Sequence, residues 1–216
     1  MRTALAFALA PCLLVATACA RTELASPKTG SCSEATASNR WPQFDGTGGE
    51  PPLVTETGWG EGQVPPDFEL LDQFEEPICL WQMVGRYVVL DTSTLWCEPC
   101  QKIAATLACQ QQKYGDDVAF MTFMVQDFGG QPADVSHAQE WSEAFGLGEG
   151  TLTPVIADGG QVFTSQFPGD GTFPTLILLD PELKVAHWGV GEETEVEIRA
   201  RLEAELGVSV DECAAQ

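Results

Sequence analysis

The chain has 216 residues, 44% of them hydrophobic, and carries ten Lys and Arg against 32 Asp and Glu, a formal net charge of −22. That length and apolar content suit one domain of ordinary size with extra terminal sequence and a real core. So few basic residues argue against nucleic-acid binding, which needs clustered Lys and Arg, and the acidity favours solubility in a salt-containing compartment.

Residues 1–18 read as an export signal. Arg2 is followed by an apolar stretch over 3–15 and by Ala16-Thr17-Ala18 as a cleavage site. The stretch is short for a membrane span. Cys19 follows Ala18 directly, which resembles a bacterial lipoprotein site, with Ala16 standing where such sites prefer Leu. Lipidation at Cys19 is therefore expected, with a freely secreted protein cut at nearly the same place as the alternative. Either places the protein in the periplasm or cell envelope, where disulfides persist. Residues 19–60 are rich in Ser, Thr, Gly, Pro and Glu and read as a tether or irregular arm. Trp41, Phe44 and Trp59 are unusual in a linker, so part of this arm is expected to pack on the domain.

Order is expected from residue 61 to 207, with 208–216 as a tail. A lead-in, Pro65-Pro66-Asp67-Phe68-Glu69-Leu70, precedes a short strand at Ile78-Cys79-Leu80. Residues 87–92 are rich in β-formers and read as a central buried strand. Residues 98–114 read as a helix, 118–125 as a second apolar strand, and 133–145 as a helix with Val135, Ala138, Trp141, Ala144 and Phe145 on one face. A short strand at 155–157, a weak helix near 161–167, a strand at 175–179, a hairpin partner at 184–190 and a closing helix at 192–206 complete the chain. Acidic residues open the closing helix and Gly207 follows it. Alternating strands and helices ending in a hairpin and a helix imply an α/β fold, a central mixed sheet flanked by helices on both faces.

Trp96-Cys97-Glu98-Pro99-Cys100 carries the chemistry. Two cysteines at this spacing, on the turn from a buried strand into a helix, suit cycling between dithiol and disulfide. A helix N-terminus presents unpaired N–H groups and partial positive charge, which favour a thiolate, and the thiolate is what attacks disulfides. Pro99 fits the first turn, where its missing N–H has no intrahelical partner. Cys97, at the helix start, is expected to be the more exposed and the nucleophile, with Cys100 one turn in as the resolving thiol. A static structural bridge is the duller alternative, but so short a loop removes little unfolded-state entropy. Of the eight cysteines, Cys12 lies in the signal, and Cys32, Cys79, Cys109 and Cys213 remain after Cys19 and the redox pair. Four cysteines allow three pairings, and buried free thiols are the alternative, Cys109 above all. The two histidines, His137 and His187, lie at no ligand spacing from the CxxC, so no metal site is expected.

The alternation, the motif and its surroundings resemble the thioredoxin superfamily. Within it the chain is most similar to the exported TlpA/ResA-type thiol-disulfide oxidoreductases, neighbours of the AhpC/TSA peroxiredoxins. The likeness rests on the Pro65–Leu70 lead-in, on Val88-Val89-Leu90-Asp91 running into the CxxC, on the insertion before residue 154, and on Thr172-Phe173-Pro174-Thr175 as a cis-proline loop. The resemblance implies that Asp91, six residues before Cys97, is the buried acid that takes a proton during resolution, although many TlpA/ResA-type members carry Asn there. A carboxylate desolvated on that strand is harder to ionise and works near neutral pH. It implies that Phe173 and Pro174 line the client site, with Trp96 shaping its rim. Asp127 is the candidate for an acid that ResA-like proteins place beside the site, and Glu98 adds negative charge near Cys97. Each acid has a plain alternative as a solvated loop carboxylate. No cofactor is implied. The expected partners are protein disulfide or dithiol clients and a membrane electron donor.

Two other functions stand beside a reductase of protein disulfides. A peroxiredoxin-like peroxidase would resemble Pro-x-x-x-Thr-x-x-Cys, and Thr94 fits, but Leu90 stands where the Pro belongs. A lipid-anchored binding module without turnover has no need of an intact CxxC.

Overall fold

The structure is a computed structural model that describes residues 39–42 and 57–213. The expected signal, Cys19, Cys32 and Phe44 lie outside the described residues.

Among the described residues, seven strands and three α-helices follow one another as β1 (Glu69–Leu71), β2 (Pro77–Cys79), β3 (Tyr87–Thr94), α1 (Glu98–Tyr114), β4 (Val118–Gln126), α2 (Val135–Phe145), β5 (Val155–Ala157), β6 (Thr175–Leu179), β7 (Val185–Val190) and α3 (Glu192–Leu206). The main sheet runs β5-β4-β3-β6-β7. β3, β4 and β5 are parallel, while β6 is antiparallel to β3 and β7 to β6. β1 and β2 form a separate antiparallel pair.

β3 is central because both its faces are apolar. Val88 and Leu90 enter one core, Val89 the other, the continuous pattern of a strand covered on both sides. Buried residues of α1, α2 and α3 share a core with Val89, Phe120 and Leu178. α1 contributes Ile103, Ala104, Leu107 and Tyr114, the helical repeat of one buried face. The opposite sheet face is covered by a short 3₁₀ helix, Leu80–Met83, by Phe68 and by Phe163. Trp41 is buried in this second core, and Trp59 stacks on Phe163 and Phe167. The described parts of the N-terminal arm thus pack on the domain.

Some expectations change. The weak helix at 161–167 is only a 3₁₀ turn, Thr164–Gln166: Pro168 follows, and Phe167 before it takes extended backbone, φ −61° and ψ 146°, which stops the turn there. In α2, Ala144 is exposed and Ser142 is buried instead, its hydroxyl donating to the Leu147 carbonyl. Cys109 is not a free thiol: it is bonded to Cys213, 104 residues away. Val210 and Cys213 are buried, so the chain after α3 docks on the core. Cys79 is also disulfide-bonded, and its partner lies outside the described residues.

Candidate active site

The CxxC stands where the central strand ends and α1 begins, the crevice beyond strand C-termini where α/β sheets place their sites. A register shift between Ser93 and Thr94 breaks the β3–β4 ladder just before it. The Leu95 amide then bonds the Gln126 carbonyl at 3.0 Å, and Gln101 Nε2 donates to the Leu95 carbonyl at 2.7 Å. These bonds tie the turn to both the sheet and the first turn of the helix.

Cys97 is the N-cap of α1, and its Sγ accepts the Cys100 amide at 3.3 Å. A sulfur in that position meets the positive end of the helix and an N–H donor together, and both stabilise a thiolate when the pair is reduced. Cys97 and Cys100 are joined as a disulfide with Cα atoms 5.3 Å apart. Cys97 retains 3% exposure and Cys100 none. Cys97, expected at an exposed position, is buried like Cys100, and Phe173 packs against the core cluster that holds both. Trp96, 48% exposed, meets Phe173 edge-on with ring centroids 6.0 Å apart, and its Nε1 donates to Gln126 Oε1 at 3.1 Å.

The Phe173–Pro174 peptide bond is cis. The Thr175 amide donates to Thr92 Oγ1 at 2.9 Å, anchoring that loop to β3 one residue after Asp91, where the ladder with β6 ends. A cavity of about 360 Å³ opens beside it, lined by Phe173, Thr175, Thr92, Thr164, Phe167 and Pro168.

Asp91 is 2% exposed on the α1 side of β3. Burial pushes its carboxyl up to about 7, against the opposing pull of the Ser93 and Thr122 hydroxyls. Oδ2 accepts from Ser93 at 2.8 Å, and Oδ1 has no protein hydrogen-bond partner. Ser93 was legible from strand alternation, two residues on and so on the same face. Thr122 becomes a neighbour only through the β3–β4 register.

The other two acids sit differently. Asp127 Oδ1 accepts the amides of Gly129 and Gln131, each at 2.8 Å, and holds the loop that presents Phe128, which is 65% exposed. Glu98 is exposed and pairs with Lys102 at 3.2 Å, while Lys102 also reaches Glu192 at 3.4 Å. The Lys102 cation thus offsets the charge that Glu98 brings near Cys97. No motif marks Gln126 or Thr92: Gln126 reaches Trp96 because β4 ends beside the CxxC, and Thr92 meets Thr175 through the β3–β6 pairing. Among the described residues no cluster of His, Cys, Asp and Glu could hold a metal ion.

A strand–CxxC–helix turn facing a cis-proline loop across a mixed five-stranded sheet defines a thioredoxin-fold protein. No family model matches the chain. It is 26% identical over 141 residues to the thiol-disulfide oxidoreductase ResA of Bacillus thuringiensis, covering 65% of this chain and 76% of that protein. It is 24% identical over 148 residues to the thioredoxin-like protein YneN of Bacillus subtilis, covering 68% and 82%. A solved thiol:disulfide interchange protein DsbE from Chlorobium tepidum matches with a TM-score of 0.53 at 24% identity, over 67% of this chain and 99% of that one, a likeness that establishes the fold. The chain has the thioredoxin fold and is similar to thiol-disulfide oxidoreductases of the ResA kind.

Proposed function

We propose that this protein is exported and reduces disulfides of protein clients through the Cys97–Cys100 couple. The observation that carries the reading is the Cys97 sulfur capping α1, one residue after the exposed Trp96, which meets Phe173 of the cis-proline loop. The Cys97 thiolate attacks a client S–S bond, forming a mixed disulfide and releasing one client thiolate. Cys100 gives its proton to Asp91 and attacks Cys97 Sγ; the internal disulfide forms and the second client thiolate leaves. Trp96, Phe173, Pro174 and the adjoining cavity receive the client backbone and side chains. Glu98 and Asp127 act at most on the rim.

Export is supported by the N-terminal signal pattern and by the disulfides at Cys109–Cys213 and Cys79, which persist in an oxidising compartment. No described helix is long and apolar enough to cross a membrane. Lipidation at Cys19 would hold the domain at the membrane, within reach of a membrane electron donor that restores the dithiol.

The test is the reduction potential of the couple. A value near roughly −270 mV supports a reductant and one near about −120 mV makes it an oxidant. Cys100→Ser should trap mixed disulfides with clients. Rapid hydrogen peroxide consumption by the pure protein would overturn the reading in favour of a peroxidase.

A further inference from the structure

The cavity of about 360 Å³ beside the 173–174 loop shares its boundary with the redox pair. Thr92 lines it, and the Thr92 carbonyl is 4.0 Å from Cys100 Sγ. Thr92 follows Leu90 by two residues and so faces the same side of the sheet, away from α1. Thr175, also in the lining, is tied to Thr92 through its amide. Phe173 is a third lining residue, and it meets Trp96, the neighbour of Cys97, edge-on.

Two kinds of surface make up this cavity. Phe167, Pro168 and Phe173 give it apolar walls. Among the described residues that line it, Asp170 alone is charged. Asp170 is exposed and accepts from the Thr172 amide at 3.1 Å and the Thr172 hydroxyl at 2.6 Å, both at Oδ1. Oδ2 accepts from no other residue among those described. The bonds from Thr172 hold the carboxyl below the usual carboxylate range, so it is ionised at neutral pH. Among the described residues no Lys, Arg or His pairs with it. The loop that carries it is braced from behind: a Cβ on Gly169 would lie 3.7 Å from Trp188 and Val190 of β7. An unpaired carboxylate at the edge of apolar walls suits a long aliphatic stem with a cationic head. The stem covers the rings while the head stays wet beside the acid.

We propose that this cavity takes a lysine or arginine side chain of the client, from a residue next to the cysteine that Cys97 attacks, and that Asp170 sets this preference. The proposal rests on the reduction of client disulfides argued above and names the clients that the site favours. The Phe173 amide and carbonyl make no backbone hydrogen bond among the described residues, so an extended client segment can pair there. Successive side chains of an extended segment point to opposite sides. When the client cysteine turns to Cys97, the residue beside it turns to the cavity. Its stem then lies along Phe167 and Pro168, and its cation meets Asp170 Oδ2. An acidic side chain in the same place meets a like charge, and a small apolar one leaves the carboxylate unpaired. Asp170 is thus a specificity residue that takes no part in the exchange of sulfurs.

The test uses the full, reduced chain and short peptides dimerised through a single cysteine. In one dimer the cysteine is flanked on both sides by Lys, in a second by Glu. A third carries the same lysines several residues away, so the overall field of the −22 chain acts on it as on the first. Second-order rate constants for release of peptide thiol are compared. The Lys-flanked dimer should react about fivefold faster than the dimer with displaced lysines, the upper range for an ion pair in contact with solvent. Asp170→Asn keeps an oxygen for Thr172 and loses the charge, so it should bring that ratio close to one. Asp170→Lys should place the Glu-flanked dimer ahead of the Lys-flanked one. Equal rates for the two lysine dimers, or a preference that survives Asp170→Asn, would overturn the assignment of the cavity while the Cys97–Cys100 couple stands. If no dimer is reduced, the reductase reading falls and this one with it.

Discussion

At the scale of single residues, the buried acid links chemistry to stability. The Asp91 carboxyl rises from 3.8 to about 7 on folding. The native state therefore binds a proton more tightly than the unfolded chain. Stability is full below the unfolded value and falls as pH climbs through about 7. Asp67, pushed to about 7 by burial, acts in the same direction. Asp91→Asn removes one of these penalties. It should stabilise the protein at pH 8 by up to about 4 kcal/mol and change little near pH 4, since each tenfold shift in proton affinity is worth about 1.4 kcal/mol. Urea unfolding at the two pH values measures this; an equal effect at both would show that ionisation at Asp91 is not responsible. The same variant should slow resolution without touching the first attack by Cys97. The residue types and spacing here were open to sequence reading. The meeting of Trp96 with Phe173 was not, because Phe173 arrives from a distant segment.

At the scale of elements, α1 joins two disulfides of different kinds. Cys97–Cys100 at its start closes almost no loop, and Cys109–Cys213 ties its second half to the C-terminus across 104 residues. In the chain-entropy picture a loop of that length is worth about 4–5 kcal/mol. Cys109→Ser with Cys213→Ser should therefore lower unfolding free energy by roughly 2–5 kcal/mol, read by denaturant midpoint, while Cys97 keeps its reactivity. Loss of that reactivity in a folded double variant would mean the staple also shapes the site. The turn after β5 is a second constraint. A Cβ on Gly159 would lie 2.0 Å from the Ala133 carbonyl oxygen and 2.4 Å from its amide nitrogen. Backbone cannot yield as a side chain tip does, so Gly159→Ala should cost about 1–3 kcal/mol or more, the range for overpacking, seen as a drop in Tm. Helix and strand runs were readable because periodicity is local. The stretch at 161–167 reads as a weak helix but closes as a short 3₁₀ turn, Thr164–Gln166, because so few residues before Pro168 leave no room for repeated helical hydrogen bonds.

At the scale of the whole molecule, the net charge of −22 governs how clients arrive. Like charges repel within a Debye length of about 10 Å at 0.1 M salt. Raising ionic strength should thus speed reduction of an acidic client and slow that of a basic one, measured as second-order rate constants. Equal salt dependence for both would mean that the aromatic rim alone sets encounter.

The class of fold, the cysteine pair, the strand that carries Asp91 and the loop at Pro174 are each written in a short run with its own period or motif, so a local reading finds them. That Cys109 meets Cys213 and that Trp41 and Trp59 pack on the core emerges only once the chain is folded. Those are meetings between segments far apart in the chain. Their partners are chosen by sheet register and helix docking, which no local pattern encodes.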